Sequence, residues 1–125
     1  MFRLTSATDF ERVRRDGRSH AHPLAVLVAR RRSPESNDAP PPTRCGFAAG
    51  KSVGTAVARN RAKRLLREAV RMRARDLRPG WDLIFIARAP LAKVKLAAAQ
   101  SAVDNLLQRA NVVSTASRET EKADA

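Results

Sequence analysis

The alternation of apolar and polar positions divides the chain into short elements with recognisable ends. Ser6-Ala7-Thr8-Asp9 has the form of a helix N-cap with an acidic first turn, Phe10 and Val13 supply one apolar stripe, and Gly17 stops the helix. Residues 23–30 (Pro-Leu-Ala-Val-Leu-Val-Ala-Arg) are apolar on both alternating faces and predict a central strand entered at a proline, with a shorter strand over 18–22 before it. Residues 44–51 (Arg-Cys-Gly-Phe-Ala-Ala-Gly-Lys) predict a further strand whose glycines admit a close neighbour. Between these two strands, Ser33-Pro34-Glu35-Ser36-Asn37-Asp38 and the run Pro40-Pro41-Pro42 suit neither sheet nor helix and predict a loose, hairpin-like loop. Gly54-Thr55 offers a turn and an N-cap for a long helix reaching about Arg75, closed by Pro79-Gly80. Residues 81–87 (Trp-Asp-Leu-Ile-Phe-Ile-Ala) form the clearest strand. From Pro90 a last helical stretch repeats Leu96, Ala99, Val103, Leu106 and Leu107 at three and four residues, which marks a buried face. Beyond Asn111 the residues are small and polar without periodicity, so one domain over 1–110 and a disordered tail over 111–125 are expected.

Charge narrows the class of partner. Lys and Arg number 25 against 12 Asp and Glu, a formal charge of +13 on 125 residues. Such an excess repels itself and favours a polyanion, either nucleic acid or an anionic membrane surface. The apolar runs are far shorter than the roughly 20 residues a membrane span needs, the N-terminus lacks the apolar core of a signal peptide, and the single Cys45 has no intrachain partner. A cytoplasmic address follows, with no membrane partner and Cys45 as a small buried strand residue. Residues 44–75 carry ten Lys or Arg and one acid, Glu68, hence +9 of the total. Within the long helix Arg59, Lys63, Arg67, Arg71 and Arg75 stand four apart, while Ala58, Ala62, Leu65, Leu66, Ala69 and Met72 gather on the opposite side. Like charges at this spacing cost about 0.2–0.5 kcal/mol per pair, so the row weakens its own helix unless phosphates lie along it.

Catalytic chemistry of the chain's own is not indicated. Gly46-Phe47-Ala48-Ala49-Gly50-Lys51-Ser52 approaches a phosphate-binding loop, but only three residues separate its glycines where four are needed to wrap a phosphate in backbone amides. His20 and His22 stand beside Pro23 without a third ligand type nearby, which favours surface or RNA contact over a metal. Asp82 is a lone acid at a strand start and reads as a local hydrogen-bond acceptor. Clustered carboxylates for a protein-only nuclease are absent.

The run from Lys51 to Glu68, Lys-Ser-Val-Gly-Thr-Ala-Val-Ala-Arg-Asn-Arg-Ala-Lys-Arg-Leu-Leu-Arg-Glu, closely resembles the signature of the bacterial ribonuclease P protein family, with its Ala-Val and Arg-Asn-Arg-x-Lys-Arg core. The order of elements around it, from about residue 4 to 109, matches as well. The resemblance implies a two-layer α/β (α+β) sandwich in the order αβββαβα, with about four strands in a mixed, mostly antiparallel sheet. It also implies a fold like domain 2 of ribosomal protein S5, with a left-handed βαβ crossover where general rules favour a right-handed one. It implies an accessory subunit of a ribonucleoprotein endonuclease: the RNA subunit holds Mg²⁺ and hydrolyses the phosphodiester, while the protein alone binds no cofactor. Expected partners are the catalytic RNA, with one protein per RNA, and precursor tRNA, whose 5′ leader is removed. Lys51, Arg59, Asn60, Arg61, Lys63, Arg64, Arg67 and Arg71 correspond to RNA-binding positions; Phe10, Arg14, Val28 and Phe47 correspond to the cleft for the single-stranded leader. Family members commonly carry aromatics where this chain has Arg14 and Val28, Asn where it has Thr55, and Ser-Lys-Lys where it has Gly50-Lys51-Ser52. Phe10 would serve equally as a plain core residue. A ribosomal or RNA-chaperone protein would share the composition and charge, so the motif alone separates the two readings.

Overall fold

The computed structural model describes residues 2–32 and 40–113; most of the expected proline loop and residues 114–125 of the expected tail lie outside the described residues. The cap residues act where the sequence predicts. Ser6 accepts from the Asp9 N–H at 3.5 Å and opens α1 (Ala7–Asp16); Thr55 accepts from the Ala58 N–H at 3.2 Å and opens α2 (Ala56–Arg71). Gly17 ends α1 in an extended conformation, and its missing side chain serves packing: a Cβ there would stand 2.5 Å from Val13 O and 2.8 Å from Val28 Cγ1.

Five strands make one sheet: β1 (Phe2–Arg3), β2 (Arg18–Ala21), β3 (Ala25–Arg31), β4 (Arg44–Ala49) and β5 (Trp81–Ala87), in the order β1-β4-β5-β3-β2. β2 with β3 and β3 with β5 run antiparallel, whereas β4 with β5 and β1 with β4 run parallel. The four longer strands reproduce the expected αβββαβα order; the two-residue β1 is an addition at the edge. The hairpin-like connection is corrected, because β5 lies between β3 and β4. β5 is the strand most nearly apolar on both faces and therefore takes the centre, where both faces are covered.

α2 and α3 (Leu96–Arg109) cover one face, packing Ala62, Leu66, Val103 and Leu107 on Leu27, Cys45, Leu83 and Phe85. α1 covers part of the other face, where Leu4, Val13, Val28 and Ile84 form a smaller cluster. Three boundaries depart from expectation for tertiary reasons. α2 stops at Arg71 because the chain tightens into a 3-10 turn (Ala74–Asp76), with Arg73 donating Nε and Nη2 to Asp104 of α3 at 2.7 and 2.8 Å. Pro90 starts a 3-10 turn (Ala89–Lys93) that buries Leu91, while Leu96, at the start of α3, is exposed. The packed body runs to residue 113: Asn111 turns the chain with a φ of 58°, Val112 and Val113 are buried, and Val113 bridges to Leu77.

Asp82 is buried at the start of β5, and its partners are distant in sequence rather than local. Arg44 donates Nε and Nη2 to its two oxygens at 2.9 Å each, and Arg30 and Arg32 stand at 3.7 and 3.8 Å. Arg44 also reaches Asp9 of α1 at 3.3 Å, so the node ties α1 to the sheet.

Candidate nucleic-acid interface

α2 buries Ala62, Leu66, Ala69 and Val70, and that choice turns its cations outward. Arg59, Lys63 and Arg67 follow one another at four-residue spacing down the flank of the helix that meets β4, with Arg67 placed 5.8 Å over the Phe47 ring. Phe47 in turn stacks on Phe85 with ring centroids 5.9 Å apart. Asn60 and Arg64 lie outermost and exposed, Arg61 holds the opposite flank, and Lys51 is exposed in the 3-10 turn (Lys51–Val53) before the helix.

Among the described residues Arg59, Arg61, Lys63, Arg64 and Arg67 form no ion pair, and the Nε of Arg59, Nη1 of Arg61 and Nε of Arg67 are covered with no hydrogen-bond partner. Arg71 differs: its Nη2 donates to both oxygens of Glu68 at 2.8 Å, so the single acid on the helix neutralises the end of the row and not its middle. Arg75 is exposed but stands on the 3-10 turn beyond the helix. An unmet buried donor costs about 1–3 kcal/mol.

The opposite face of the sheet is apolar and partly open. Cross-strand register sets Val28, Ile84 and Gly46 in one row and Ala21, Val26, Ile86 and Ala48 in the next. α1 sits on the first row and leaves the second half-buried or exposed. The half-buried ring of Phe10 lies over Gly46, beside a pocket of about 200 Å³ that Arg3, Leu4 and Thr5 also line. Of the four expected cleft residues, Phe10 lies at this groove, and Arg14 is exposed one turn further along α1. Val28 is corrected to a core residue, 4% exposed beneath α1. Phe47 borders the small pocket as part of β4, but its ring belongs to the core cluster on the α2 side, since neighbouring residues of a strand face opposite ways. Val26 and Ile86 were not anticipated. Their two-residue spacing from Val28 and Ile84 puts them on the same face, but only the position of α1 reveals which pair stays open.

The remaining candidates have structural places. Burial pushes the Cys45 thiol up to about 12, consistent with an inert strand residue. His22 Nδ1 accepts from the Leu24 N–H at 3.0 Å. Among the described residues no helix is long and apolar enough to cross a membrane.

A family model described as Ribonuclease P matches residues 1–111. The chain belongs to the ribonuclease P protein family. It is 43% identical over 127 positions to the ribonuclease P protein component of Roseiflexus castenholzii, covering 98% of this chain and 97% of the relative. Against that of Herpetosiphon aurantiacus it is 48% identical, covering 88% and 85%. The solved RNase P protein of Staphylococcus aureus superposes with a TM-score of 0.76 at 27% identity, covering 90% of this chain and 98% of that one. The protein from Thermotoga maritima gives 0.72 at 26%, covering 87% and 97%. Family membership sets aside the ribosomal and chaperone readings and makes the chain the protein component of a ribonucleoprotein endonuclease.

Proposed function

We propose that the α2 face formed by Arg59, Asn60, Arg61, Lys63, Arg64 and Arg67, extended by Lys51 and Arg71, holds this ribonuclease P protein on its catalytic RNA. The groove between Phe10, Arg14, Val26 and Ile86 receives the 5′ leader of precursor tRNA. The observation that carries this reading is the run of cations on α2 that have no carboxylate partner among the described residues, the one acid of the helix being held by Arg71. Guanidinium groups meet phosphates with paired, charge-assisted hydrogen bonds, so a folded RNA backbone supplies what the helix lacks. A groove of small apolar side chains with one aromatic ring and positive edges accepts a single strand of any sequence, because ring stacking and backbone charge do not read bases.

In this arrangement the protein assists and the RNA cuts. The cationic face does not suit a divalent cation: its one carboxylate, Glu68, is already engaged by Arg71. Mg²⁺ is accordingly assigned to the RNA of the assembly. The protein lowers the repulsion between leader and catalytic RNA and so reduces the Mg²⁺ needed to bring them together. The expected assembly has one protein per RNA and works in the cytoplasm. The deciding experiment adds the purified chain to a bacterial ribonuclease P RNA at low Mg²⁺ and follows leader release from precursor tRNA. A clear gain in cleavage is expected, and no gain would overturn the reading.

A further inference from the structure

A cavity of about 660 Å³ opens between the outer strand β2 and the C-terminal end of α3, on the flank away from α2. Register explains its lining. Arg18 pairs with Ala29, His20 with Leu27 and Arg31 with Trp81, and all of these positions lie on the α3 side of the sheet. Arg109 closes the cavity from α3, donating Nη1 to the Ala21 carbonyl at 2.6 Å and to Asn105 Oδ1 at 3.5 Å.

Its charges are unbalanced. Among the described residues Asp16 is the only acid in the wall, and it is taken by Arg15 at 3.2 Å and Arg30 at 3.9 Å. Arg18 and Arg31 are exposed and form no ion pair among the described residues. Trp81 is half-buried against the core and also lines the cavity, offering a flat apolar surface.

We infer that this cavity is a second RNA contact that seats one nucleotide, its phosphate between Arg18, Arg31 and Arg109 and its base against Trp81. The volume is within the usual range of about 300–1,000 Å³ for small-molecule sites. Guanidinium donors around a phosphate and an indole beside a base are the two recurring elements of single-strand binding. The inference rests on the proposed function only in taking RNA as the partner; it uses no residue of α2 or of the Phe10 groove. Burial, then Arg109 and Arg18, hold the His20 pKa below its ordinary value. Charged groups lining the cavity with it come from β2 (Arg18), β3 (Arg30, Arg31), the end of α1 (Asp16) and α3 (Arg109). A phosphate seated among them favours the imidazolium and raises that pKa.

Trp81 is the only tryptophan of the chain, so its fluorescence reports this cavity. The full chain is titrated with adenosine monophosphate, with inorganic phosphate, with ribonuclease P RNA and with a leader-bearing precursor tRNA. Adenosine monophosphate is expected to quench Trp81, and inorganic phosphate to compete without equal quenching. The Arg18→Ala/Arg31→Ala protein, altered only at exposed side chains, is expected to bind the nucleotide about tenfold or more weaker, since each guanidinium supplies charge-assisted hydrogen bonds to the phosphate. Arg64→Ala is expected to leave the quenching by adenosine monophosphate unchanged. Whichever RNA quenches in the native chain but not in the double variant is the source of the nucleotide. Proton NMR is expected to show the His20 pKa rising with adenosine monophosphate. No quenching by the nucleotide, equal quenching by phosphate alone, RNA quenching that survives in the double variant, or an unmoved His20 would each overturn the inference. None of these outcomes bears on whether the α2 face binds RNA.

Discussion

Gly46 lies beneath the Phe10 ring, and a Cβ added there would stand 2.5 Å from Phe10 Cζ, 2.8 Å from Cε2 and 3.0 Å from the Leu4 carbonyl oxygen. The ring can swing away but the Leu4 backbone cannot, so Gly46→Ala is expected to displace Phe10 from the groove and cost about 1–3 kcal/mol of stability. Chemical denaturation checks the loss of stability. Leader affinity, read by comparing precursors with and without a 5′ leader, is expected to fall, while affinity for the catalytic RNA stays the same. Phe10 itself illustrates how far residue type carries: an aromatic on a helix stripe fits both a core and a groove, and the half-open ring over Gly46 serves as both.

The row of cations on α2 belongs to the scale of the element. Each side chain is separated from the next by one helical turn, and the middle of the row has no intramolecular acid among the described residues. Binding to phosphates releases counterions, so Arg61→Ala combined with Arg64→Ala is expected to weaken binding to ribonuclease P RNA and flatten its salt dependence by about 0.7–0.9 log units for each phosphate no longer neutralised. A filter-binding titration across salt concentrations measures this directly, and an unchanged slope would remove these two residues from the interface. Arg71→Ala is expected to do less, because its guanidinium already shares Glu68. Helix spacing made this face legible before the fold was known. Where the helix ends was not legible, because the stop depends on Arg73 meeting Asp104, 31 residues away on α3.

At the scale of the whole molecule, the Asp82 node joins elements that are far apart in the chain. Its carboxylate is 1% exposed and is faced by Arg30, Arg32 and Arg44. Asp82→Asn would leave three cations at one strand start with their common acceptor weakened. Removing one partner of a buried ion pair costs about 3–5 kcal/mol, and a thermal or denaturant melt is expected to show a loss of that order. Loosening of α1 should follow, because Arg44 holds Asp9 only while Asp82 positions it. His20 supplies a pH dependence at the same scale. Its folded pKa is depressed below the unfolded value of about 6.5, so the unfolded chain binds more protons and stability falls as pH drops through and below that value. His20→Gln is expected to remove this slope in melts run between neutral and mildly acidic pH.

Local order alone accounts for much of the protein. The two N-caps, the start of β4 at Arg44, the full span of β5 and the one-sided charge of α2 depend on residues within a turn or a strand of each other, where periodicity and capping chemistry act directly. The Arg-Asn-Arg-x-Lys-Arg run likewise marked the family within a single helix. Tertiary structure decided what depends on which surfaces meet: β5 entering between β3 and β4, Val28 sealed beneath α1 while Val26 and Ile86 stay open, Phe47 turned toward Arg67, and Asp82 gathering three arginines. Strand alternation fixes which residues share a face, but not which face a helix will cover or which distant charge will arrive. Those outcomes follow from the burial and pairing of the chain as a whole.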